Sequence, residues 1–261
     1  MTFLRRISLV FLIAVIPGLA VSQSSTRLSS DSKMLPVLFQ QQSAEYRALC
    51  YQAFNIATLR LESVKRKGLP LAIVTDIDET ILDNSYYEAQ RIKDGKEFTP
   101  KTWKEWTAKS SATLVPGAGD FLKKAKLHNV VIFYVSNRDT SEIMGTLVNL
   151  KKLDLPNADN EHLLFMSDVS SKEKRRQQVM KNFDVVMLIG DNLNDFTSLF
   201  EKKSIADRKT EVDRVQPDWG NKFIMLPNAM YGEWENALYN YNRNLTNEQK
   251  NVLLMERLIG Y

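Results

Sequence analysis

Residues 72–80 have the sequence Ala72-Ile73-Val74-Thr75-Asp76-Ile77-Asp78-Glu79-Thr80, an apolar run that ends in two aspartates. A short apolar run of this kind predicts a buried β-strand. In extended backbone, side chains two residues apart point the same way, so Asp76 and Asp78 would emerge side by side. Two carboxylates this close repel each other unless a cation or a shared proton intervenes. The D-x-D-x-T pattern therefore predicts a metal-assisted site, although an aspartate at a strand end can also cap a turn.

Four further apolar runs indicate the fold. They cover residues 130–135, 163–166, 185–189 and 223–226, and a helix-like stretch follows each of the first three. Alternating strands and helices predict an α/β fold with a Rossmann-like parallel sheet flanked by helices. A long amphipathic helix is expected over residues 43–67, before the first strand. In such sheets, ligands bind beyond the carboxyl ends of the strands.

The composition is that of an ordinary globular protein. The chain has 261 residues, of which 44% are hydrophobic and 25% charged, and this excludes disordered and collagen-like classes. The formal net charge is +4, and it falls to +2 if residues 1–22, which contain two arginines, are removed. Because this charge is small, we expect no nucleic-acid partner. Cys50 is the only cysteine, so no intrachain disulfide can form and stability must come from a packed core.

The N-terminus differs from the rest of the chain. Arg5 and Arg6 precede an apolar run over residues 7–16, and small residues follow around Ser22. This order is typical of a secretory signal peptide, which we place at residues 1–22. The alternative is an uncleaved anchor, but the run is short for a membrane span. Because no cysteine follows as a lipid attachment point, we expect an exported protein, periplasmic or secreted, without a stable membrane anchor.

The rest of the chain divides into a spacer and one folded domain. Residues 23–32 are polar and serine-rich, which predicts a flexible spacer, and residues 33–261 are expected to form the domain. An aromatic and charged insert over approximately residues 85–116 interrupts the pattern without a predicted strand of its own. Since it follows the first strand, it would overhang the strand end, and we interpret it as a small, mainly helical cap.

Polar residues also follow the other predicted strands. Ser136-Asn137-Arg138 end the second strand, and the fourth is followed by Gly-Asp-Asn-Leu-Asn-Asp at residues 190–195. A hard divalent cation prefers several oxygen ligands and would neutralise such carboxylates. A lysine from the basic stretch after the third strand would balance charge around an anionic substrate, with Lys172 or Lys174 as the candidates.

In combination, these motifs resemble those of the haloacid dehalogenase superfamily. The set is D-x-D-x-T at residues 76–80, S-N-R at 136–138, a downstream lysine and G-D-N-L-N-D at 190–195. Other stretches resemble the class C acid phosphatases, in particular the lipoprotein-e type 5'-nucleotidases. They are L-D-N-S at 82–85, W-K-E-W at 103–106, P-G-A at 116–118 and P-N-A-M-Y-G-E-W-E at 227–235. The resemblance spans nearly the whole chain after residue 22 and implies an acid phosphatase or 5'-nucleotidase.

The resemblance also implies roles for the acidic residues. Asp76 would be the nucleophile that forms an aspartyl-phosphate, and Asp78 would be the general acid and base. One Mg²⁺ per site would be held by Asp76, the main-chain carbonyl of Asp78, and Asp191. Asp195 would support this metal site.

The same resemblance implies how a substrate would be held. Ser136 and Asn137 would hydrogen-bond phosphoryl oxygens, while Lys172 balances charge at the phosphate. Trp103 and Tyr231 would sandwich a nucleobase or nicotinamide ring, because base–aromatic stacking tolerates any base. Ordinary cap packing is the alternative for these two rings.

Several functional alternatives stay open from the sequence. The expected substrate is a small phosphate ester such as a nucleoside monophosphate or nicotinamide mononucleotide, and a homodimer is possible. The main alternative is an exported nucleotide-binding or surface protein with the same fold and little turnover. We interpret Asp83 and Asn84 as structural loop residues, since both types stabilise turns.

Overall fold

The structure is a computed structural model that describes residues 28–65 and 68–261. Its main element is a five-stranded sheet in the order β5-β4-β1-β6-β7, with every neighbouring pair parallel. The strands are β1 (Leu71–Thr75), β2 (Leu82–Asp83), β3 (Thr113–Leu114), β4 (Val131–Asp139), β5 (Leu163–Met166), β6 (Asp184–Gly190) and β7 (Phe223–Met225). The predicted α/β fold is confirmed, and each of the five predicted strands lies in this sheet.

Helices cover both faces of the sheet. The helices of the described residues are α1 (Leu28–Gln42), α2 (Ala44–Ser63), α3 (Ser85–Lys93), α4 (Pro100–Thr107), α5 (Ala118–Leu127), α6 (Ile143–Lys152), α7 (Glu173–Met180), α8 (Ile205–Arg214), α9 (Glu233–Leu238) and α10 (Asn247–Arg257). On one face, Ile73 packs in a core with residues of α2 and α5 such as Phe54 and Leu122. On the other, Val74 packs in a second core that includes Val179 of α7. Every residue of β1 is buried, which explains why its sequence is apolar up to the last residue, Thr75.

The central position of β1 decides where the first aspartate lies. Thr75 is paired with Tyr134 of β4 and with Ile189 of β6. The next residue, Asp76, donates its main-chain N–H to the Ile189 carbonyl at 2.9 Å. The end of β1 is therefore level with Tyr134 of β4 and Ile189 of β6, and the residues that follow these positions share one edge of the sheet.

The insert between β2 and β3 contains α3 and α4. The prediction that the insert has no strand was wrong, because β3 pairs antiparallel with β2. Two residues are too few to give an alternating pattern in the sequence. The insert is tied to the main domain, since Thr107 donates to Glu142 at 2.9 Å and Lys104 forms an ion pair with Asp139 at 3.1 Å.

The N-terminal part of the described chain is helical. Helix α1 begins at Leu28, so the predicted spacer over residues 23–32 overlaps the helix from residue 28 onward. The predicted signal peptide, residues 1–22, lies outside the described residues. Helix α2 begins at Ala44, where the Ser43 hydroxyl accepts the Tyr46 N–H at 2.9 Å, and ends at Ser63 rather than residue 67. Helix α1 contacts α3 and α10.

Two further features concern membrane crossing and the single cysteine. In the described ranges, we find no helix with the length and apolar character that a membrane crossing needs. Cys50 of α2 is a free thiol with no exposed surface. Burial raises the pKa of this thiol to about 11.

Candidate active site

Three buried aspartates converge at the carboxyl ends of β1 and β6. Asp76 follows β1, whereas Asp191 and Asp195 belong to the turn after β6. Each offers a carboxylate oxygen within 4.8 Å of the others, and among the described residues this is the group of acidic side chains suited to hold a metal ion. The sequence prediction placed all three at this site.

Lys172 contacts two of these carboxylates. Its Nζ donates to Asp76 Oδ1 and, at 2.6 Å, to Asp195 Oδ1. Burial alone would lower the pKa of Lys172, but attraction to Asp195 and Asp76 outweighs burial and raises it. Lys174, the other candidate, is exposed. The geometry thus favours Lys172 as the lysine of the site.

Asp195 is held by groups on both of its oxygens. Oδ1 accepts from Lys172, and Oδ2 accepts the main-chain N–H of Asn192 at 2.9 Å. The turn packs closely on the strand end, because a Cβ added to Gly190 would lie 2.4 Å from Asp195 Cβ. With one donor on each oxygen, the Asp195 carboxylate is fixed in orientation between Lys172 and the turn.

Asp76 and Asp191 have oxygens that lack a strong donor. The Thr80 hydroxyl is 3.5 Å from Asp76 Oδ2 and 3.3 Å from Asp191 Oδ1, and it has one proton to give. Burial, reinforced by Asp195 and Asp78 and opposed by Lys172, raises the pKa of Asp76 to about 7. Burial, followed by repulsion from Asp195 and Asp76, raises the pKa of Asp191 well above its usual value.

This donor set fits a hard cation. Hard divalent cations take carboxylate oxygens as ligands, and a positive charge here would offset both the burial and the mutual repulsion of the two groups. The other oxygen of Asp191, Oδ2, accepts from Asn228 Nδ2 at 2.7 Å. That bond directs Oδ1 of Asp191 toward Thr80 and Asp76.

Asp78 lies beside the cluster, and its carboxylate has different partners. Arg138, which is 3% exposed, donates from Nε to both oxygens at 3.1 Å and from Nη2 to Oδ1 at 2.7 Å. Asn84 Nδ2 donates to Oδ1 at 2.9 Å, and the Ser136 hydroxyl is 3.4 Å from Oδ2. The pair of aspartates that the sequence predicted therefore divides into one carboxylate facing Lys172 and one facing Arg138.

The end of β4 carries the predicted phosphate-binding residues. Ser136 is buried and its hydroxyl accepts the Arg138 N–H at 3.0 Å. Asn137 is exposed, and its Oδ1 accepts from Arg175 Nη2 at 2.6 Å. Because Arg175 is a donor only, it fixes the Asn137 amide with Nδ2 as the free end. Asn137 can therefore donate to an anion.

Trp103 and Tyr231 approach the site from different elements. The Arg138 guanidinium lies 5.7 Å from the centre of the Trp103 ring, and Tyr87 meets that ring edge-on at 5.1 Å. The Tyr231 N–H donates to Asn228 Oδ1 at 3.5 Å, and Asn228 also binds Asp191. Trp103 thus lies on the Asp78 side of the site, and the main chain of Tyr231 lies on the Asp191 side.

Comparison with known proteins identifies the family. A family model described as haloacid dehalogenase superfamily, subfamily IIIB (acid phosphatase) matches residues 20–234. The chain belongs to this acid phosphatase family. The class C acid phosphatase from Bacillus anthracis is 39% identical, with a TM-score of 0.86 over 89% of this chain and 98% of that chain. A second structure of that enzyme, with tungstate bound, matches with the same values.

These matches confirm the predicted resemblance and establish that the chain is a phosphomonoesterase with the haloacid dehalogenase-type fold. Phosphatases of this superfamily usually use a divalent metal, and the cluster of Asp76, Asp191 and Asp195 is where one would bind.

The positions of some residues of this acid phosphatase site could not be predicted from the sequence. Asn84, interpreted as a loop residue, donates to Asp78 and is fully buried. The contacts of Asn228 with Asp191 and of Arg175 with Asn137 join residues that are 37 and 38 positions apart, so the local sequence does not reveal them. Thr80 was visible as the last letter of D-x-D-x-T, but its position between Asp76 and Asp191 required the structure. The loop interpretation suits Asp83, which accepts the Ser85 N–H at 2.9 Å.

Proposed function

We propose that this acid phosphatase is an exported, Mg²⁺-dependent enzyme that hydrolyses 5'-nucleotides or related small phosphate monoesters through an aspartyl-phosphate. The observation that carries the proposal is the buried Asp76 carboxylate, held by Lys172 on one oxygen and facing Asp191 with the other. This contact set supports a nucleophile, a charge-balancing ammonium and a partner carboxylate for a cation at one edge of the sheet.

In the first step, Asp76 attacks phosphorus. The Asp76–phosphorus bond forms as the bond from phosphorus to the ester oxygen breaks, and Asp78 gives its proton to the departing alcohol. Lys172, Ser136 and the Asn137 amide stabilise the charge on the phosphoryl oxygens.

In the second step, Asp78 takes a proton from water. The water oxygen bonds to phosphorus, the Asp76–phosphorus bond breaks, and inorganic phosphate leaves with Asp76 free again. This step returns the proton to Asp78, so both aspartates end the cycle as they began.

The binding protein with little turnover is disfavoured, because a binding module needs no acid and base beside the anion site.

Mg²⁺ would be held by Asp76, Asp191 and the main-chain carbonyl of Asp78, with Asp195 as support. When bound, it supplies positive charge that offsets repulsion between the nucleophile and the phosphoryl oxygens. Asn228 and Thr80 orient the carboxylates that would bind it.

The substrate proposal rests on the aromatic residues around the site. Trp103 is linked to the site through Arg138, and the main chain of Tyr231 through Asn228. We propose that their rings stack on the nucleobase of a nucleoside monophosphate or on the ring of nicotinamide mononucleotide. The tungstate complex of the Bacillus anthracis enzyme supports an oxyanion site in this family.

The proposal that the enzyme is exported rests on the predicted signal peptide at residues 1–22. The homodimer also stays a prediction.

The test is phosphate release from AMP and from nicotinamide mononucleotide, each with Mg²⁺ and with EDTA. We expect release with Mg²⁺, a loss of at least about a hundredfold with EDTA, and recovery on adding Mg²⁺ back. Asp76→Asn should release no phosphate under any of these conditions. Equal rates with and without EDTA would contradict the metal, and an active Asp76→Asn would contradict the nucleophile.

A further inference from the structure

A hydrogen-bonded chain links the cap insert to the side chain of Asp78. Trp106 of α4 donates its indole Nε1–H to Asn84 Oδ1 at 2.8 Å. Asn84, which has no exposed surface, donates from Nδ2 to Asp78 Oδ1 at 2.9 Å. The insert therefore reaches the carboxylate through one amide.

The chemistry of Trp106 fixes the direction of this chain. An indole N–H can only donate, so the end of the Asn84 amide that faces it must be the oxygen. The NH₂ end is then directed at Asp78 and can only donate there. Helix α4 is itself held against the main domain by the Thr107–Glu142 hydrogen bond and the Lys104–Asp139 ion pair.

The two oxygens of Asp78 are consequently unequal. Oδ1 accepts from Arg138 Nη2 at 2.7 Å, from Asn84 at 2.9 Å and from Arg138 Nε at 3.1 Å. Oδ2 accepts only from Arg138 Nε at 3.1 Å and from the Ser136 hydroxyl at 3.4 Å, as far as the described residues go. The less occupied oxygen is the one free to exchange a proton.

We propose that Asn84 and Trp106 are positioning residues that hold Asp78 by Oδ1, so that Oδ2 delivers the proton to the leaving oxygen. The proposal rests on the proposed role of Asp78 as general acid. The proton moves from Oδ2 to the ester oxygen while the bond from phosphorus to that oxygen breaks and the bond to Asp76 forms. Neither positioning residue touches the substrate in this step.

The test compares two esters of similar shape, phenyl phosphate and p-nitrophenyl phosphate. Nitrophenolate leaves without a proton, whereas phenol, whose pKa resembles the value of about 10 for tyrosine, needs general-acid help. The ratio kcat/KM includes the steps up to departure of the leaving group, so it isolates the acid step from the later hydrolysis of the aspartyl-phosphate. A loss confined to phenyl phosphate is the signature of a disturbed acid.

The variants are Trp106→Phe, Asn84→Ala and Asp78→Asn, each with a melting temperature. General acids contribute about 10²–10⁴-fold, so Asp78→Asn should lose about that factor more on phenyl than on p-nitrophenyl phosphate. Trp106→Phe and Asn84→Ala should show the same selectivity at about tenfold. If Trp106→Phe does not fold, Asn84→Ala tests the same hydrogen-bonded chain.

Trp219→Phe is the matched control. It also removes an indole hydrogen bond, from Nε1 to the Val212 carbonyl at 3.1 Å, but has no link to Asp78, and both esters should respond equally. If Asp78→Asn is selective while Trp106→Phe and Asn84→Ala lower both esters equally, the positioning proposal is wrong and the acid role stands. If Asp78→Asn itself is unselective, the acid role is wrong and the positioning proposal falls with it.

Discussion

Lys172 is the residue on which the charge balance of the site depends. Its ammonium group is buried between Asp76 and Asp195, and no other lysine or arginine of the described chain forms an ion pair with either carboxylate. Removing one partner of a buried ion pair leaves the other charges without compensation, which costs about 3–5 kcal/mol. We therefore expect the lysine to contribute to stability, in addition to its proposed role in phosphate binding.

We expect Lys172→Met to lower the free energy of unfolding by about 3 kcal/mol and to reduce phosphate release at least about a hundredfold. Urea unfolding in EDTA measures the first and an AMP assay the second. Lys174→Met is the matched control, because that side chain is exposed, and it should change stability by less than about 0.5 kcal/mol. The reverse result would assign the role to Lys174.

The residues that the sequence predicted best are those whose chemistry is visible locally. Asp76 and Asp78 stand out because carboxylates end an apolar strand. Asn84 does not stand out, since a buried asparagine that donates to the Asp78 carboxylate and an asparagine in a turn have the same local sequence. Its partner Trp106 is 22 positions away, and only the folded insert brings the two together.

Among the elements, the junction between β6 and the following turn determines where Asp195 lies. Gly190 has no Cβ, and this absence lets the Asp195 side chain approach the strand end. Asn192 closes the turn by donating its N–H to Asp195. The glycine in G-D-N-L-N-D is therefore a packing requirement rather than a matter of backbone flexibility.

Gly190→Ala should displace Asp195 from Lys172, because the new methyl group would overlap the carboxylate. We expect a loss of about 1–3 kcal/mol in stability, as for other overpacked cores, together with a lower kcat for AMP. Thermal unfolding and phosphate release measure the two effects. Gly260→Ala is the control, because nothing lies within 4 Å of the added carbon, and it should have the stability and activity of the parent protein. If Gly190→Ala also matches the parent protein, the close packing has no consequence and the prediction is wrong.

The elements that the sequence did not predict have identifiable reasons. The two-residue strands β2 and β3 are too short to show a periodic pattern. Helix α1 contains Pro36, and an internal proline argues against a helix in any sequence-based prediction because it removes a main-chain hydrogen bond. The central strands were predictable because both of their faces are buried.

For the whole molecule, the buried acids make the metal-free protein sensitive to pH. The pKa of Asp76 is about 7 in the folded protein and near 3.8 when unfolded, so the folded state binds more protons between these values. Stability therefore falls as the pH rises through this interval. Asp191 and Glu79, whose pKa values burial also raises, act in the same direction. Lys172 is protonated in both the folded and the unfolded state below pH 8, so it does not contribute to the pH dependence of stability in this range.

With EDTA present, we expect a lower melting temperature at pH 7.5 than at pH 5.5, and Mg²⁺ should reduce this difference because it binds the ionised carboxylates of the folded state. Differential scanning fluorimetry in matched buffers measures both. Asp191→Asn, which removes one of the raised acids, should flatten the pH dependence in EDTA. A melting temperature that rises from pH 5.5 to 7.5 without metal would contradict this account.

The buried thiol of Cys50 has a practical consequence for spectroscopy. Thiolates are the reactive form of cysteine. Because Cys50 is fully buried and burial raises its pKa to about 11, we expect this thiol to react poorly with maleimides at neutral pH. Since the chain has no other cysteine, a single cysteine introduced at the exposed Lys101 on α4 would be the one site that takes up a fluorophore. A fluorophore at that position would report on the surroundings of α4 without labelling the rest of the chain.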